Sequence, residues 1–244
     1  MIHRAWLASL GAIAIAGTAA LLLQGRDGAA LATRAPADRP TLVLLTSLPL
    51  VFGERFGLDS GGSPALARIE QRYNVQPIGI ADRASLAGHQ LLLMAQPRAQ
   101  PAEALVELDQ WVRDGGHLLL LADPHLSWPS ERPLGDMLRP PSHFADTGLL
   151  KHWGLSLTGP EDNGPVEVTV GDIRVQTVTP GVLTGTSCDI LGGGLVARCR
   201  IGRGLATVIA DADLLNVEPT PGGAEPTAAN LDLVLAELAR FEGP

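Results

Sequence analysis

The residues best placed to do chemistry in this chain are carboxylates that close apolar runs. Asp123 follows His117-Leu-Leu-Leu-Leu-Ala122, and Asp211-Ala212-Asp213 follows Ala206-Thr-Val-Ile-Ala210. Carboxylates converging from two such runs supply hard oxygen ligands for a cation, or acceptors for a sugar hydroxyl. The same residues also suit strand-end turns, in which an Asp accepts backbone N–H bonds, and turn chemistry is the commoner use. Thr46-Ser47 and Gln96 end two further apolar runs in the same way. Thr46, Ser47, Asp123, Asp211 and Asp213 are therefore the candidate ligand-binding residues.

Other chemistries lack their residue patterns. His117, His125, His143 and His152 fit neither HExxH nor a CxxC…HxxxH spacing, so no metal site is expected. There is no GxSxG elbow, no GxxxxGK[ST] phosphate loop and no GxGxxG after a strand, so no catalytic residue and no cofactor is assigned. Gly192-Gly193-Gly194 precedes a strand and lacks the helix N-terminus an anion site needs. Cys188 and Cys199 bracket that glycine run. In an exported domain they pair as a disulfide, and in a reducing compartment they are buried thiols.

The elements that position these residues alternate. Thr41–Thr46, Val75–Ile80, Leu91–Ala95 and His117–Ala122 read as strands, short and continuously apolar as in a parallel sheet buried on both faces. Helices are expected from Ser63-Pro64 through Glu70 and from Pro101 to Gly115-Gly116, the second with Leu105, Leu108 and Val112 on one face. Five prolines between 124 and 146 make that stretch a long loop or lid. Leu149–Gly154 is a short helical turn, and four strand-like runs follow between Val166 and Ala210, the last two joined by Gly202-Arg203-Gly204. A final helix starts at Thr227 and carries Leu231, Val234, Leu235 and Leu238 on one face.

Composition bounds the class. The 244 residues are 45% hydrophobic, 18% charged and 4% aromatic, with a net charge of −8. Acidity and scarce aromatics exclude a nucleic-acid partner. From Ala5 to Leu23 no residue is charged, and such a run, as a helix, crosses about 28 Å, close to the hydrocarbon thickness of a bilayer. Residues 1–24 are expected to be a transmembrane anchor, a cleaved signal peptide being the alternative, and residues 25–40 a Gly-, Ala- and Pro-rich linker. Residues 1–40 hold four arginines against two aspartates, so residues 41–244 carry −10. That part reads as one extracytoplasmic α/β domain with a β insertion at about 160–200, held at the inner membrane by a single pass.

Three segments carry a family resemblance: Glu103-Ala-Leu-Val-Glu-Leu-Asp109-Gln-Trp-Val-Arg-Asp-Gly115-Gly116-His-Leu-Leu-Leu-Leu-Ala-Asp123-Pro124, Gly148-Leu-Leu-Lys-His-Trp-Gly154-Leu-Ser-Leu157 and Ile201-Gly-Arg-Gly204-Leu-Ala-Thr-Val-Ile-Ala-Asp211-Ala-Asp213-Leu-Leu215. Together they resemble the gliding-motility-type, GldG-like auxiliary proteins of uncharacterised ABC transport systems. The resemblance implies a flavodoxin-like, amidotransferase-like, mainly parallel sheet, and it adds Asn230, before the last helix, to the candidate residues. Class I amidotransferases carry a nucleophilic Cys after a core strand, where this chain has Gln96-Pro97-Arg98 after Leu91–Ala95. The expected function is a non-catalytic accessory component that meets a transporter permease or another envelope protein. The alternative is an envelope hydrolase or carbohydrate-binding domain that uses the strand-end carboxylates.

Overall fold

The computed structural model describes residues 31–53, 62–161, 164–217 and 228–243. Its centre is a seven-stranded sheet. Strands β1 (Thr41–Thr46), β2 (Asn74–Pro77), β3 (Leu91–Ala95), β4 (His117–Leu121) and β11 (Gly204–Ile209) run parallel, in the order β2-β1-β3-β4-β11. Strands β10 (Val196–Ile201) and β9 (Cys188–Leu191) extend it antiparallel beyond β11. Side chains alternate across the parallel strands, so Leu42 and Leu44 enter one core and Val43 and Leu45 the other. Both faces are covered, which is why these strands read as unbroken apolar runs.

Helices α1 (Pro64–Glu70) and α5 (Ala228–Arg240) cover one face through Leu66, Ile69, Leu231 and Leu235. Ser63 caps α1 by accepting the Leu66 N–H at 3.1 Å. Helices α2 (Arg83–Leu86), α3 (Ala102–Arg113) and α4 (Leu149–His152) cover the other face through Leu86, Leu108, Val112 and Leu150. Within α3 the inward residues are Ala104, Leu108 and Val112, and Leu105 sits at the margin. The wholly buried Glu237 of α5 takes a bidentate pair from Arg198 of β10, at 2.5 and 3.1 Å.

Between α4 and β9 two small antiparallel ribbons form. Strand β5 (Leu155–Thr158) pairs with β8 (Val182–Gly185), and β6 (Pro165–Val170) with β7 (Ile173–Val178). Cys188 and Cys199 stand directly opposite each other on β9 and β10 with Cα atoms 4.4 Å apart, the spacing of a non-hydrogen-bonded pair, and are joined as a disulfide.

Several expectations are corrected. The class is a mixed α/β fold with a mostly parallel sheet, in place of a flavodoxin-like, amidotransferase-like sheet led by a transmembrane helix. Its far strands turn antiparallel, and most of the expected β insertion folds as separate ribbons. Among the described residues no helix is long and apolar enough to cross a membrane. The longest, α5, has 13 residues and spans about 20 Å. The Ala5–Leu23 run lies outside the described residues, so the transmembrane anchor and the single-pass inner-membrane, periplasmic placement lose their structural support and are withdrawn. The part of the expected linker that is described, residues 31–40, is tied to the domain. Arg34 donates its N–H to Gln71 O at 2.9 Å and pairs with Glu242 at 2.6 Å, and Arg72 donates to Ala32 O. The start of the last helix at Thr227 also lies outside the described residues.

The Gly-Gly and Gly-Arg-Gly motifs meet in space. Gly115, at φ +118°, ends α3, and the β10–β11 hairpin docks on that end through Arg203 N–H to Arg113 O at 3.0 Å. A Cβ on Gly204 would lie 2.1 Å from Val112 O and 2.2 Å from Gly116 O. Gly204→Ala should therefore cost at least about 3 kcal/mol in urea denaturation. Gly79→Ala, whose Cβ meets nothing within 4 Å, should leave the midpoint nearly unchanged.

Candidate functional site

The parallel strands place their carboxyl ends along one edge of the sheet, and the chain reverses its direction of winding between β1 and β3. Ligands in open α/β sheets gather at such a switch point. Here a crevice of about 490 Å³ opens beside the end of β1, lined by Thr46, Ser47, Leu48, Phe52, Met137 and Leu138 among others. Thr46 and Ser47 shape its floor more than they face it. Thr46 Oγ1 donates to Ala95 O at 2.8 Å and accepts the Leu48 N–H at 2.9 Å, and Ser47 Oγ donates to Gln96 O. Their hydroxyls thereby clamp the ends of β1 and β3 together.

One strand further on, β4 and β11 bring Asp123, Asp211 and Asp213 together. One carboxylate oxygen from each lies within 4.8 Å of the others, and all three residues are buried. Asp123 accepts the His125 N–H on Oδ1 at 2.7 Å and the Ala212 N–H on Oδ2 at 3.0 Å. Asp211 Oδ2 accepts from Val178 N–H at 3.1 Å, and Asp213 Oδ2 from Ser127 N–H at 2.7 Å. The turn chemistry weighed for these residues is present. It does not satisfy them, because Asp211 Oδ1 and Asp213 Oδ1 are buried with no hydrogen-bond partner.

Burial shapes their electrostatics. It pushes the Asp123 carboxyl up to about 6, against the opposing pull of the Ala212 and His125 N–H groups. Burial, and then the Asp123 charge, push Asp213 up to about 7. Asp211 rises well above the carboxylate range through burial and the charges of Asp123 and Asp213. Among the described residues none of the three belongs to an ion pair, and His125 pulls the Asp123 carboxyl in the opposite direction to its burial. Asn230 lies elsewhere. Its side chain accepts Gln176 N–H and donates to Gln176 O, both at 2.8 Å, fastening α5 to β7.

Sequence reasoning underrated Gln96. Its backbone has φ +43°, uncommon outside glycine, and its side chain is wholly buried. The carboxamide accepts Asp123 N–H at 2.9 Å and donates to Asp123 O and Pro141 O, both at 3.1 Å. Gln96 thus holds the end of β4 and the proline-rich segment to one point. The signal was available, since Gln96 is a polar residue closing the apolar Leu91–Ala95 run. Arg98 continues the brace by donating to Arg139 O at 2.7 Å and to Met137 O. The 124–146 segment is accordingly a strap fastened at Ser127, Pro141 and Phe144.

No protein-family model matches the chain, and no curated protein matches it. Among solved structures it is similar to an exo-β-1,4-mannosidase from Opitutaceae bacterium strain TAV5, at 15% identity and TM-score 0.49 over 82% of this chain and 36% of that one. It is also similar to a β-galactosidase from Bacillus circulans sp. alkalophilus, at 12% identity and TM-score 0.49 over 87% and 32%. The chain thus spans about a third of the length of these hydrolases. The mmIFT52 N-terminal domain matches at 13% identity and TM-score 0.53, over 84% of this chain and 98% of that domain, and shows a shared fold. The expectation that the chain is not an enzyme is corrected, since glycoside hydrolases stand among its structural neighbours. At this identity they assign it no reaction. The GldG-like resemblance finds no counterpart among these structures.

Replacing Gln96 by Ala would leave the buried Asp123 N–H and C=O short of partners. Gln96→Ala should lower stability by about 2–3 kcal/mol. It should also speed chymotryptic cleavage after Leu134 and Leu138 while cleavage elsewhere is unchanged, read by mass spectrometry of a time course.

Proposed function

We propose that the chain is an accessory, interaction domain that receives an apolar polypeptide segment of a partner in the crevice beside β1, and that an ABC-type transport system is the assembly it serves. The observation that carries this reading is the crevice and its rim. Phe52, Met137 and Leu138 line it and are 76, 84 and 60% exposed. Leu134, three residues before Met137, is 89% exposed. Clustered apolar exposure of this kind marks interaction surfaces, and Met side chains adapt to varied apolar partners. The bonds from Arg98 and Gln96 present Met137 and Leu138 from a braced strap, which lowers the ordering cost of binding. The transport assignment rests on the resemblance of residues 103–124, 148–157 and 201–215.

Use of the strand-end carboxylates on a sugar is disfavoured by their depth. Acid and base groups of a glycoside hydrolase must flank the scissile bond. Asp123 and Asp211 have no exposed surface, and both are engaged by backbone N–H groups.

The test is recovery of the tagged full chain from its own cells in mild detergent. Transporter permease or ATPase subunits should co-purify with it. Met137→Asp with Leu138→Asp should reduce that recovery at least about tenfold, the cost of setting charges in an apolar contact, with circular dichroism unchanged. A chain recovered alone, or full recovery by the charged variant, would overturn the reading.

A further inference from the structure

The carboxylates at the ends of β4 and β11 present a problem that the crevice does not solve. They are buried, among the described residues they form no ion pair, and two of their oxygens accept no hydrogen bond. Their Oδ2 atoms are held from outside the cluster, Asp211 by Val178 N–H and Asp213 by Ser127 N–H. Asp211 Oδ1 and Asp213 Oδ1 are left buried, in residues whose carboxylates converge, with capacity to ligate.

We propose that Asp123, Asp211 and Asp213 form a buried site for one hard divalent cation, calcium, which pins the 124–146 strap to the ends of β4 and β11. The ligand set contains only carboxylate oxygen, which selects hard cations over zinc or copper. One oxygen from each residue lies within 4.8 Å of the others. Calcium takes oxygen ligands in flexible, irregular geometry, which suits three carboxylates held by separate backbone bonds, whereas magnesium demands a near-ideal octahedron. The anchors explain what the ion would do. Asp123 is bonded to His125 N–H at the start of the strap, Asp213 to Ser127 N–H two residues on, and Asp211 to Val178 N–H at the end of β7. One ion therefore joins the strap, β7 and two sheet strands that the sequence keeps far apart. The site is separate from the crevice, so it stands or falls independently of the partner reading.

The test uses the purified full chain, stripped with EDTA, and calcium chloride as the probe. Isothermal titration should give one calcium per chain, and about 1 mM calcium should raise Tm by about 5 °C or more. Asp211→Asn and Asp213→Asn should each weaken calcium binding at least about tenfold. Both should remain folded by circular dichroism, with a Tm in EDTA close to that of the unaltered chain, because Asn keeps an oxygen to accept the Val178 or Ser127 N–H. Asp114→Asn, on the exposed end of α3, should keep the full response. A folded chain whose Tm responds to neither calcium, magnesium nor manganese at about 10 mM would overturn the proposal. A response to magnesium exceeding that to calcium would overturn the choice of ion.

Discussion

The Asp123 carboxylate is the point on which the functional edge of this molecule depends. It sits just beyond β4, and its two oxygens take N–H bonds from His125, on its own strand's exit, and Ala212, on the exit of β11. One side chain thereby joins the ends of two parallel strands whose chain positions differ by 89 residues. The Asp123 main chain is held from the opposite side by Gln96, at the end of β3. Three neighbouring strand ends are thus locked in register by side-chain bonds beyond the reach of the sheet's own ladder. Such bonds are strong because the site is dry, and costly to break for the same reason.

This lock governs what the edge can present. The strap that leaves β4 carries five prolines, which donate no N–H, and its own bonds include Leu126 N–H to Ser142 O at 2.9 Å and Arg139 N–H to Asp136 O at 3.1 Å. It is held from outside, by Gln96, Arg98 and Asp213, and it returns to Asp123 O through Phe144 N–H at 2.7 Å. Met137 and Leu138 stand exposed on this braced main chain at the crevice rim. Buried charge and exposed hydrophobicity at this edge are two results of one arrangement.

Particular elements show how much could be read in advance. Leu91–Ala95 and His117–Leu121 were legible as strands because burial on both faces leaves no polar position, and α3 was legible because Pro101 and Gly115 punctuate an amphipathic run. Strands β5 and β8 were not. Leu155–Thr158 and Val182–Gly185 are four residues each, and they acquire strand geometry only by pairing with each other across the intervening β6–β7 ribbon. Asn230 was drawn into the candidate set by its place in a motif. Its amide instead completes the backbone pairing of Gln176, a partner that sequence spacing cannot reveal.

By itself the sequence determined which residues close each apolar run: Thr46, Gln96, Asp123 and Asp211. It also determined that two cysteines bracket a hairpin, and that the chain is acidic overall. Local composition encodes these features, since a strand buried on both faces must end where polar side chains begin. Only the tertiary structure decided which of those ends are neighbours. The order β1-β3-β4-β11 sets Thr46 beside an apolar crevice and Asp123 beside Asp211 and Asp213. The physical reason is that parallel pairing is non-local. Adjacency in such a sheet follows from how the crossovers pack and leaves no periodic mark on the chain.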